Sequence, residues 1–157
     1  MNIMFVCHGN ICRSPMAEFM FKDMLKNAGI SEGFTVCSSA TSSEEIWNGI
    51  GNPVYPPARA ELLKHGISSE GKRAVQLKKS DYENFDLFLC MDGRNLVNAK
   101  RMLGGDKENK VKKLLSLTGS DRDVADPWYT DDFTTAYSDI YEGCKALLEM
   151  IQKGEIK

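Results

Sequence analysis

The segment richest in reactive groups is a short run near the N-terminus that begins with a cysteine and ends with an arginine and a serine. It reads CHGNICRS, from Cys7 to Ser14. A cysteine thiolate is a strong nucleophile, and a guanidinium can bind two oxygens of one anion. Backbone N–H groups in a tight turn, followed by a helix N-terminus, add further donors. We therefore expect a loop that binds a tetrahedral oxyanion and attacks it with sulfur.

Within this loop we predict Cys7 to be the nucleophile. Gly9 and Asn10 tolerate the left-handed backbone conformations that a tight turn requires. The residues predicted to bind phosphate are His8, Gly9, Asn10, Ile11, Cys12 and Arg13. The Gly-Lys-Ser/Thr run of a nucleotide-binding P-loop is absent. Cys12 is either a small packed residue or a redox partner that forms a disulfide with Cys7.

A second candidate for chemistry is Asp126, in the run Asp-Pro-Trp-Tyr that ends at Tyr129. A carboxyl group at this point can act as a general acid that protonates a leaving oxygen. Asp-Pro is also a common start of a turn, and the flanking segment is acidic, so a solvated turn is the alternative. The nucleophilic loop and the two adjacent aromatic residues favour the acid.

The elements that position these residues alternate between strands and helices. Apolar runs predict strands at 2–6, 34–38, 87–91 and 111–115. Ser14-Pro15 predicts a helix start with Ser14 as the N-cap, and further helices are predicted at 57–65, 92–102 and from Phe133 to Ile151. Residues 39–56 predict a long loop. The pattern predicts a single α/β domain over 1–157, with a four-stranded parallel sheet and helices on both faces.

Composition narrows the class of protein. The chain has 157 residues, a formal net charge of −2 and five cysteines. An odd number of unevenly spaced cysteines argues against a disulfide framework, and their spacing does not fit a zinc site. The basic residues are scattered, so we expect no binding to nucleic acid. No long apolar run is present and the start does not read as a signal peptide, so we expect no membrane association and a cytoplasmic location.

Taken together, these motifs resemble those of the low-molecular-weight protein tyrosine phosphatases. The run from Cys7 to Pro15 looks like the family's nucleophilic signature, and Asp126-Pro127-Trp128-Tyr129 looks like its second signature. The stretch Cys90-Met91-Asp92, with Asn95, resembles a third motif. The resemblance covers nearly the whole chain.

The resemblance implies a phosphatase that acts on phosphotyrosine and small aryl phosphates through a phosphocysteine, with no metal and no cofactor. Its catalytic residues would be Cys7, Arg13 and Asp126. Ser14 would hydrogen-bond the thiolate, and Asn10, Ser38 and His65 would form a network that supports the loop. The aromatic side chains expected to line the cleft are Trp47, Trp128 and Tyr129.

Partners would be phosphotyrosine-containing proteins and phosphate-like anions, and we expect a monomer with at most weak self-association. An ionised Cys7 and a protonated Asp126 predict a bell-shaped pH profile with an acidic optimum.

Three alternatives remain open. A thiol-linked arsenate reductase shares the architecture, but it needs an exposed pair of relay cysteines that this chain lacks. A protein arginine phosphatase carries a threonine where this loop has Ile11. A catalytically silent phosphate-binding module would lack the nucleophile, the arginine or the acid, and all three are present.

Overall fold

A computed structural model describes residues 1–156 of the chain; Lys157, the last residue of the predicted domain, lies outside them. Its centre is a parallel sheet of four strands: β1 (Asn2–Cys7), β2 (Thr35–Ala40), β5 (Leu87–Cys90) and β6 (Val111–Lys113). Their order is β2-β1-β5-β6, so that β1 pairs with both β2 and β5. The predicted α/β fold is confirmed.

Alternate residues of β1 point to opposite faces of the sheet, and each face has its own apolar core. Ile3 and Phe5 pack with residues of α1 (Arg13–Asn27) and of α6 (Phe133–Gln152). On the other side, Met4 and Val6 pack with residues of α4 (Gly93–Met102). Helices therefore cover both faces, as predicted, and β1 is buried between them.

Several predicted boundaries were close, and one cap was wrong. The helix predicted at 57–65 is α2 (Pro56–Lys64), and the strand predicted at 111–115 ends early in a 3-10 helix (Leu114–Thr118). Helix α1 begins at Arg13 with Cys12 at the N-cap. Ser14 is not the N-cap because its hydroxyl is engaged by Cys7 and Asn10.

The segment 39–56, predicted to be a loop, contains a small hairpin. Strands β3 (Ile46–Trp47) and β4 (Ile50–Gly51) pair antiparallel around Asn48-Gly49. Both turn residues have positive φ, 52° and 76°, as a two-residue type I′ turn requires. Two short helices, α3 (Asp81–Asn84) and α5 (Pro127–Thr130), are the remaining elements of the described residues.

No helix among residues 1–156 is long and apolar enough to cross a bilayer.

Candidate active site

The loop from Cys7 to Ser14 leaves the carboxyl end of β1 and turns directly into α1. Asn10 adopts the left-handed conformation (φ 60°) that the turn requires. Gly9 does not have a positive φ, so this part of the expectation holds for Asn10 alone. The N–H of Asn10 donates to Cys7 Sγ at 3.3 Å, and Ser14 Oγ lies 2.9 Å from the same sulfur. The loop thus surrounds the thiol with polar partners.

The four other cysteines lie in environments that favour the neutral thiol. Burial raises the pKa of Cys12, and the negative charge of Cys7 raises it further. Burial also raises the pKa values of Cys37, Cys90 and Cys144. The sulfur of Cys7 has a backbone N–H and a hydroxyl within reach.

The guanidinium of Arg13 is buried and held by three groups. Its Nη1 donates to Asp92 Oδ2 and to the carbonyl of Val124, both at 2.8 Å, and its Nη2 lies 3.4 Å from Asp126 Oδ2. Burial alone would lower the pKa of Arg13, but the negative charges of Cys7, Asp126 and Asp92 outweigh it and raise the pKa. A permanent cation therefore lies near Cys7.

Asp126 is both the N-cap of α5 and a residue of the pocket. Its Oδ1 accepts from the N–H of Trp128 at 3.0 Å, which leaves Oδ2 towards Arg13. The preceding loop is fixed to the sheet, because the N–H of Val124 donates to the carbonyl of Met91 at 2.9 Å. The two interpretations of Asp-Pro therefore hold together: the residue starts a turn, and the turn presents its carboxylate to the loop.

These groups meet in one pocket of about 120 Å³. Of the six residues predicted to bind phosphate, all except Asn10 line it; Asn10 is buried beneath the loop. Trp128 and Tyr129 line the pocket as predicted, and Trp128 packs on Tyr55 with ring centroids 5.0 Å apart. Glu44 and Glu45 also line it, and neither was predicted. The complete lining is Cys7, His8, Gly9, Ile11, Cys12, Arg13, Glu44, Glu45, Asp126, Trp128 and Tyr129.

The prediction for Trp47 was wrong. The side chain is on the β3–β4 hairpin, 79% exposed, and it does not line the pocket. The hairpin is the reason: its two-residue turn directs Trp47 and its cross-strand partner Ile50 to solvent.

The predicted supporting network is present in part. The amide nitrogen of Asn10 donates to Ser14 Oγ at 2.8 Å and to Ser38 Oγ at 2.9 Å. His65 is not a member. It follows the end of α2, where its ring stacks on Tyr137 of α6 at 3.9 Å and its Nε2 lies 3.5 Å from Glu61. The helix α2 turns this side chain away from the loop.

Comparison with known proteins fits this arrangement. A model of the family described as low molecular weight phosphotyrosine protein phosphatase matches residues 2–156. The chain belongs to this family. Its members are named as phosphatases, so the chain is assigned to the phosphoric monoester hydrolases.

Relatives match this phosphatase along nearly the whole chain. The low molecular weight protein-tyrosine-phosphatase YfkJ of Bacillus subtilis is 39% identical over 154 residues, which cover 97% of this chain and 96% of the relative. Its crystal structure superposes with a TM-score of 0.91 at 36% identity, covering 98% and 96% of the two chains. The human low molecular weight phosphotyrosine protein phosphatase is 38% identical, with 94% of each chain covered.

A more distant likeness is to an arginine phosphatase. YwlE from Bacillus subtilis, crystallised as a mutant with a phosphorylated active-site serine, superposes at a TM-score of 0.83 and 28% identity. The likeness covers 98% of this phosphatase and 97% of that chain. The fold thus supports more than one phosphoryl substrate.

Sequence reasoning missed Asp92 as a site residue of this phosphatase, although the run Cys90-Met91-Asp92 was noted. Asp92 caps α4 by accepting from the N–H of Asn95 at 2.8 Å, while its other oxygen holds Arg13. The available signal was its place at the carboxyl end of a buried strand, the edge at which parallel sheets bind ligands.

Proposed function

We propose that this chain hydrolyses phosphotyrosine in proteins, and small aryl phosphates, through a phosphocysteine intermediate. The observation that carries the proposal is the meeting of Cys7, Arg13 and Asp126 in one pocket beside two aromatic rings. Nucleophile, cation and acid are the three groups that phosphoryl transfer from an aryl ester needs.

In the first step Cys7 Sγ attacks phosphorus and the bond from phosphorus to the phenolic oxygen breaks. Arg13 and the N–H groups of the loop bind the equatorial oxygens. A phosphoryl group that binds Nη2 takes over the contact that this nitrogen makes with Asp126. Asp126 Oδ2 is then free of Nη2 and, in the protonated form that a general acid needs, faces the leaving oxygen. It gives that proton to the departing oxygen.

In the second step water attacks the phosphocysteine. Asp126, now ionised, takes a proton from that water as the sulfur–phosphorus bond breaks. Inorganic phosphate leaves and the thiolate of Cys7 returns. Because Arg13 and the backbone donors supply the positive field, the proposal needs no metal. Because the first step needs an ionised Cys7 and a protonated Asp126, we expect a bell-shaped pH profile with an acidic optimum.

Phosphotyrosine is the proposed substrate because Trp128 and Tyr129 are exposed rings at the edge of the pocket. Aromatic rings pack well on a flat phenyl group. Phosphoarginine is the second candidate, and the likeness to an arginine phosphatase is the observation that keeps it open. The apolar side chain of Ile11 in the pocket favours the phenyl ring over a guanidinium. An exposed relay pair of cysteines, which arsenate reduction needs, is absent among residues 1–156.

The remaining proposals concern the setting of the enzyme. We propose a cytoplasmic phosphatase domain that takes in the whole chain, 1–157. Its five free cysteines fit a reducing compartment. Cys7 and Cys12 line the same pocket, which supports a reversible disulfide between them. The proposed partners are phosphotyrosine proteins and phosphate-like anions, with a monomer as the working state.

The test is hydrolysis of p-nitrophenyl phosphate in a metal chelator at mildly acidic pH. We expect turnover by the wild type, none by Cys7→Ser, and a clear but partial loss in Asp126→Ala, because p-nitrophenolate can leave without full protonation. Matched controls are Cys37→Ser, a half-buried cysteine outside the pocket, and Asp121→Ala, an exposed acid in the same loop. Both controls are expected to keep the wild-type rate.

Substrate choice is tested separately by comparing kcat/KM for a phosphotyrosine peptide and for phosphoarginine. A higher value for the phosphotyrosine peptide is expected. Absence of wild-type turnover on all three substrates would overturn the proposed function, and a preference for phosphoarginine would overturn the proposed substrate.

A further inference from the structure

Two charged side chains near the loop, one buried and one partly buried, have no part in the reaction as described. Glu18 of α1 is 5% exposed, and its Oε1 accepts from Ser38 Oγ at 2.6 Å. Lys72 lies beside it: Nζ donates to the carbonyl of Ser38 at 3.1 Å and is 3.7 Å from Glu18 Oε1. Burial lowers the pKa of Lys72. A cation and hydrogen-bond donors compensate part of the hydration that a buried carboxylate loses.

The orientation of the Asn10 side-chain amide determines which groups donate hydrogen bonds between Glu18 and Cys7. The N–H of Val75 donates to Asn10 Oδ1 at 3.0 Å, which assigns the oxygen to that side of the amide. The amide nitrogen therefore faces the two serines and donates one N–H to each. Ser14 and Ser38 both act as acceptors towards Asn10.

Each serine has one proton of its own left to donate. Ser38 gives its proton to Glu18 Oε1, which as a carboxylate can only accept. Ser14 Oγ lies 2.9 Å from Cys7 Sγ, so a thiolate at Cys7 would accept the Ser14 proton. An acceptor at one end and a backbone donor at the middle thus give the chain of hydrogen bonds one direction.

We propose that Glu18, paired with Lys72, is a positioning residue that keeps this network directed so that Ser14 donates to the thiolate of Cys7. The inference rests on the proposed function, in which that thiolate is the nucleophile. Hydrogen bonds in a buried chain polarise one another, so an anionic acceptor at the far end strengthens the last donation. Glu18 and Lys72 stand in the place that the resemblance assigned to His65.

Other charges face the two ends of the network and must be considered in any test. Around Cys7 they are Arg13, Asp126, Cys12 and Cys90. Around Glu18 they are Lys22, Lys72 and Cys37. Lys22 reaches Glu18 Oε2 from the surface and makes no contact with the serines.

The test is the pH dependence of Cys7 alkylation by iodoacetamide, with the modified peptide identified by mass spectrometry. This readout does not require phosphatase activity. In Glu18→Gln we expect the midpoint of the alkylation curve to move to higher pH by about 0.5–1 unit, because Ser14 donates less well. A purely coulombic effect of Glu18→Gln would instead move the midpoint to lower pH, since removal of a negative charge favours a thiolate.

Two further variants identify the route. Lys22→Gln removes a surface partner of Glu18 without touching the network, and we expect its midpoint to match the wild type. Ser14→Ala removes the last donor, so Glu18→Gln is expected to have no further effect in that background. Thermal melts of every variant show that the folded protein is being compared.

An unchanged or lowered midpoint in Glu18→Gln would overturn the proposal. So would an equal shift with and without Ser14. If Glu18→Gln does not fold, Ser38→Ala replaces it, since this change removes the hydroxyl that links Glu18 to Asn10. The upward shift must then again vanish in the Ser14→Ala background. Failure of phosphatase activity alone leaves these alkylation results interpretable and bears only on the proposed function.

Discussion

At the scale of single residues, Arg13 is the best-prepared group of the site. Asp92 and the carbonyl of Val124 hold its Nη1, so the guanidinium is fixed in orientation before any ligand arrives. A side chain ordered in advance loses little conformational entropy on binding. The nitrogen that remains, Nη2, faces Asp126 in the pocket. In the proposed mechanism, oxyanion binding to Nη2 and the release of Asp126 from Arg13 are therefore linked events.

The role of Asp126 can be measured by changing the leaving group. Asp126→Asn keeps an acceptor for the helix cap but has no proton to give. We expect kcat to fall by about 10²–10⁴-fold on phenyl phosphate. The loss should be much smaller on p-nitrophenyl phosphate, whose phenolate leaves readily without protonation. The measurement is kcat across a series of aryl phosphates, with Asp121→Asn as the control; equal losses across the series would contradict the acid role.

Single residues were predictable where the sequence is local. The nucleophile, the arginine and the loop lie within eight consecutive positions, so their meeting follows from one turn. Lys72 carried no local signal, and Asp92 carried only its place after a buried strand, because both come from segments that only the tertiary fold brings beside the loop. His65 was assigned to the supporting network from the resemblance alone. In the structure it follows the end of α2, and its ring packs on Tyr137 and not on the loop.

At the scale of elements, the β3–β4 hairpin depends on a close approach of two backbones. A Cβ at Gly51 would lie 1.9 Å from the carbonyl oxygen of Ala74. The neighbouring contacts are hydrogen bonds from Ala74 N–H to the carbonyl of Asn52, at 2.9 Å, and from Arg73 to the carbonyl of Gly51. Only a residue without a side chain at position 51 allows the backbone of β4 to come this close to the backbone of Ala74. Glu45, in the pocket, enters the same hairpin.

Gly51→Ala is therefore expected to lower the free energy of unfolding by about 1–3 kcal/mol, because the backbones must move apart. Gly93→Ala is the matched control, since a Cβ at Gly93 would meet nothing within 4 Å and the φ of this residue is not positive. Urea denaturation of both variants provides the comparison. A similar stability for the two would show that the hairpin tolerates the separation.

The connection between α4 and β6 depends on Asp106. Its carboxylate accepts from Tyr82 Oη at 2.8 Å and from the N–H groups of Lys110 and Val111 at 2.7 and 3.1 Å. Burial acts to raise the pKa of Asp106, but these hydrogen bonds outweigh it and lower the pKa. The ionised form is thus favoured by folding. The ionised carboxylate therefore adds to the free energy of unfolding above the unfolded-state pKa of about 3.9. This stabilisation is lost as pH falls through the lower folded-state pKa.

Asp106→Asn is expected to lower the free energy of unfolding at neutral pH by about 1 kcal/mol. The difference from wild type should shrink below about pH 4, where the wild-type carboxyl takes up its proton. Thermal melts from pH 2 to 7 test this, with Asp121→Asn as a fully exposed control. A difference that stays constant with pH would contradict the assignment.

The elements themselves were largely predictable from apolar periodicity, and the exceptions have physical causes. Buried strands such as Leu87–Cys90 are uniformly apolar and stand out in the sequence. The β3–β4 hairpin was not predicted, because strands of two residues show no periodicity in the sequence. Asn48-Gly49 is nevertheless a turn signal. The strand at 111–115 was drawn too long because the residues of the 3-10 helix, Leu114 and Leu115, are equally apolar and equally buried.

At the scale of the whole molecule, the order β2-β1-β5-β6 brings the site together. All four strands are parallel, so the loop after β1 and Asp92 after β5 emerge at the same edge. Asp126 joins them because the carbonyl of Met91 holds the N–H of Val124. The general location of the site was thus predictable from the parallel sheet, whereas the route of the 119–126 segment back to that edge was not.

Inorganic phosphate should stabilise the whole fold, because only the folded chain has the loop. At a concentration 100 times Kd the gain is about 2.7 kcal/mol, which for a chain of this size raises Tm by roughly 5–10 °C. Arg13→Ala should abolish the rise, while Asp121→Ala should keep it. Melts in phosphate and in chloride at equal ionic strength decide this, and an equal rise in Arg13→Ala would contradict phosphate binding at the site.

The central position of β1 also has a consequence during synthesis on the ribosome. Cys7 leaves the ribosome early, but its strand pairs with β5, and the proposed acid, Asp126, lies far later in the chain. At roughly 5–20 residues per second, several seconds or more pass between the synthesis of Cys7 and that of Asp126. During this time the later segments that surround the thiol in the folded protein do not yet exist. A nascent chain therefore exposes to cellular oxidants and electrophiles the sulfur that the finished fold covers.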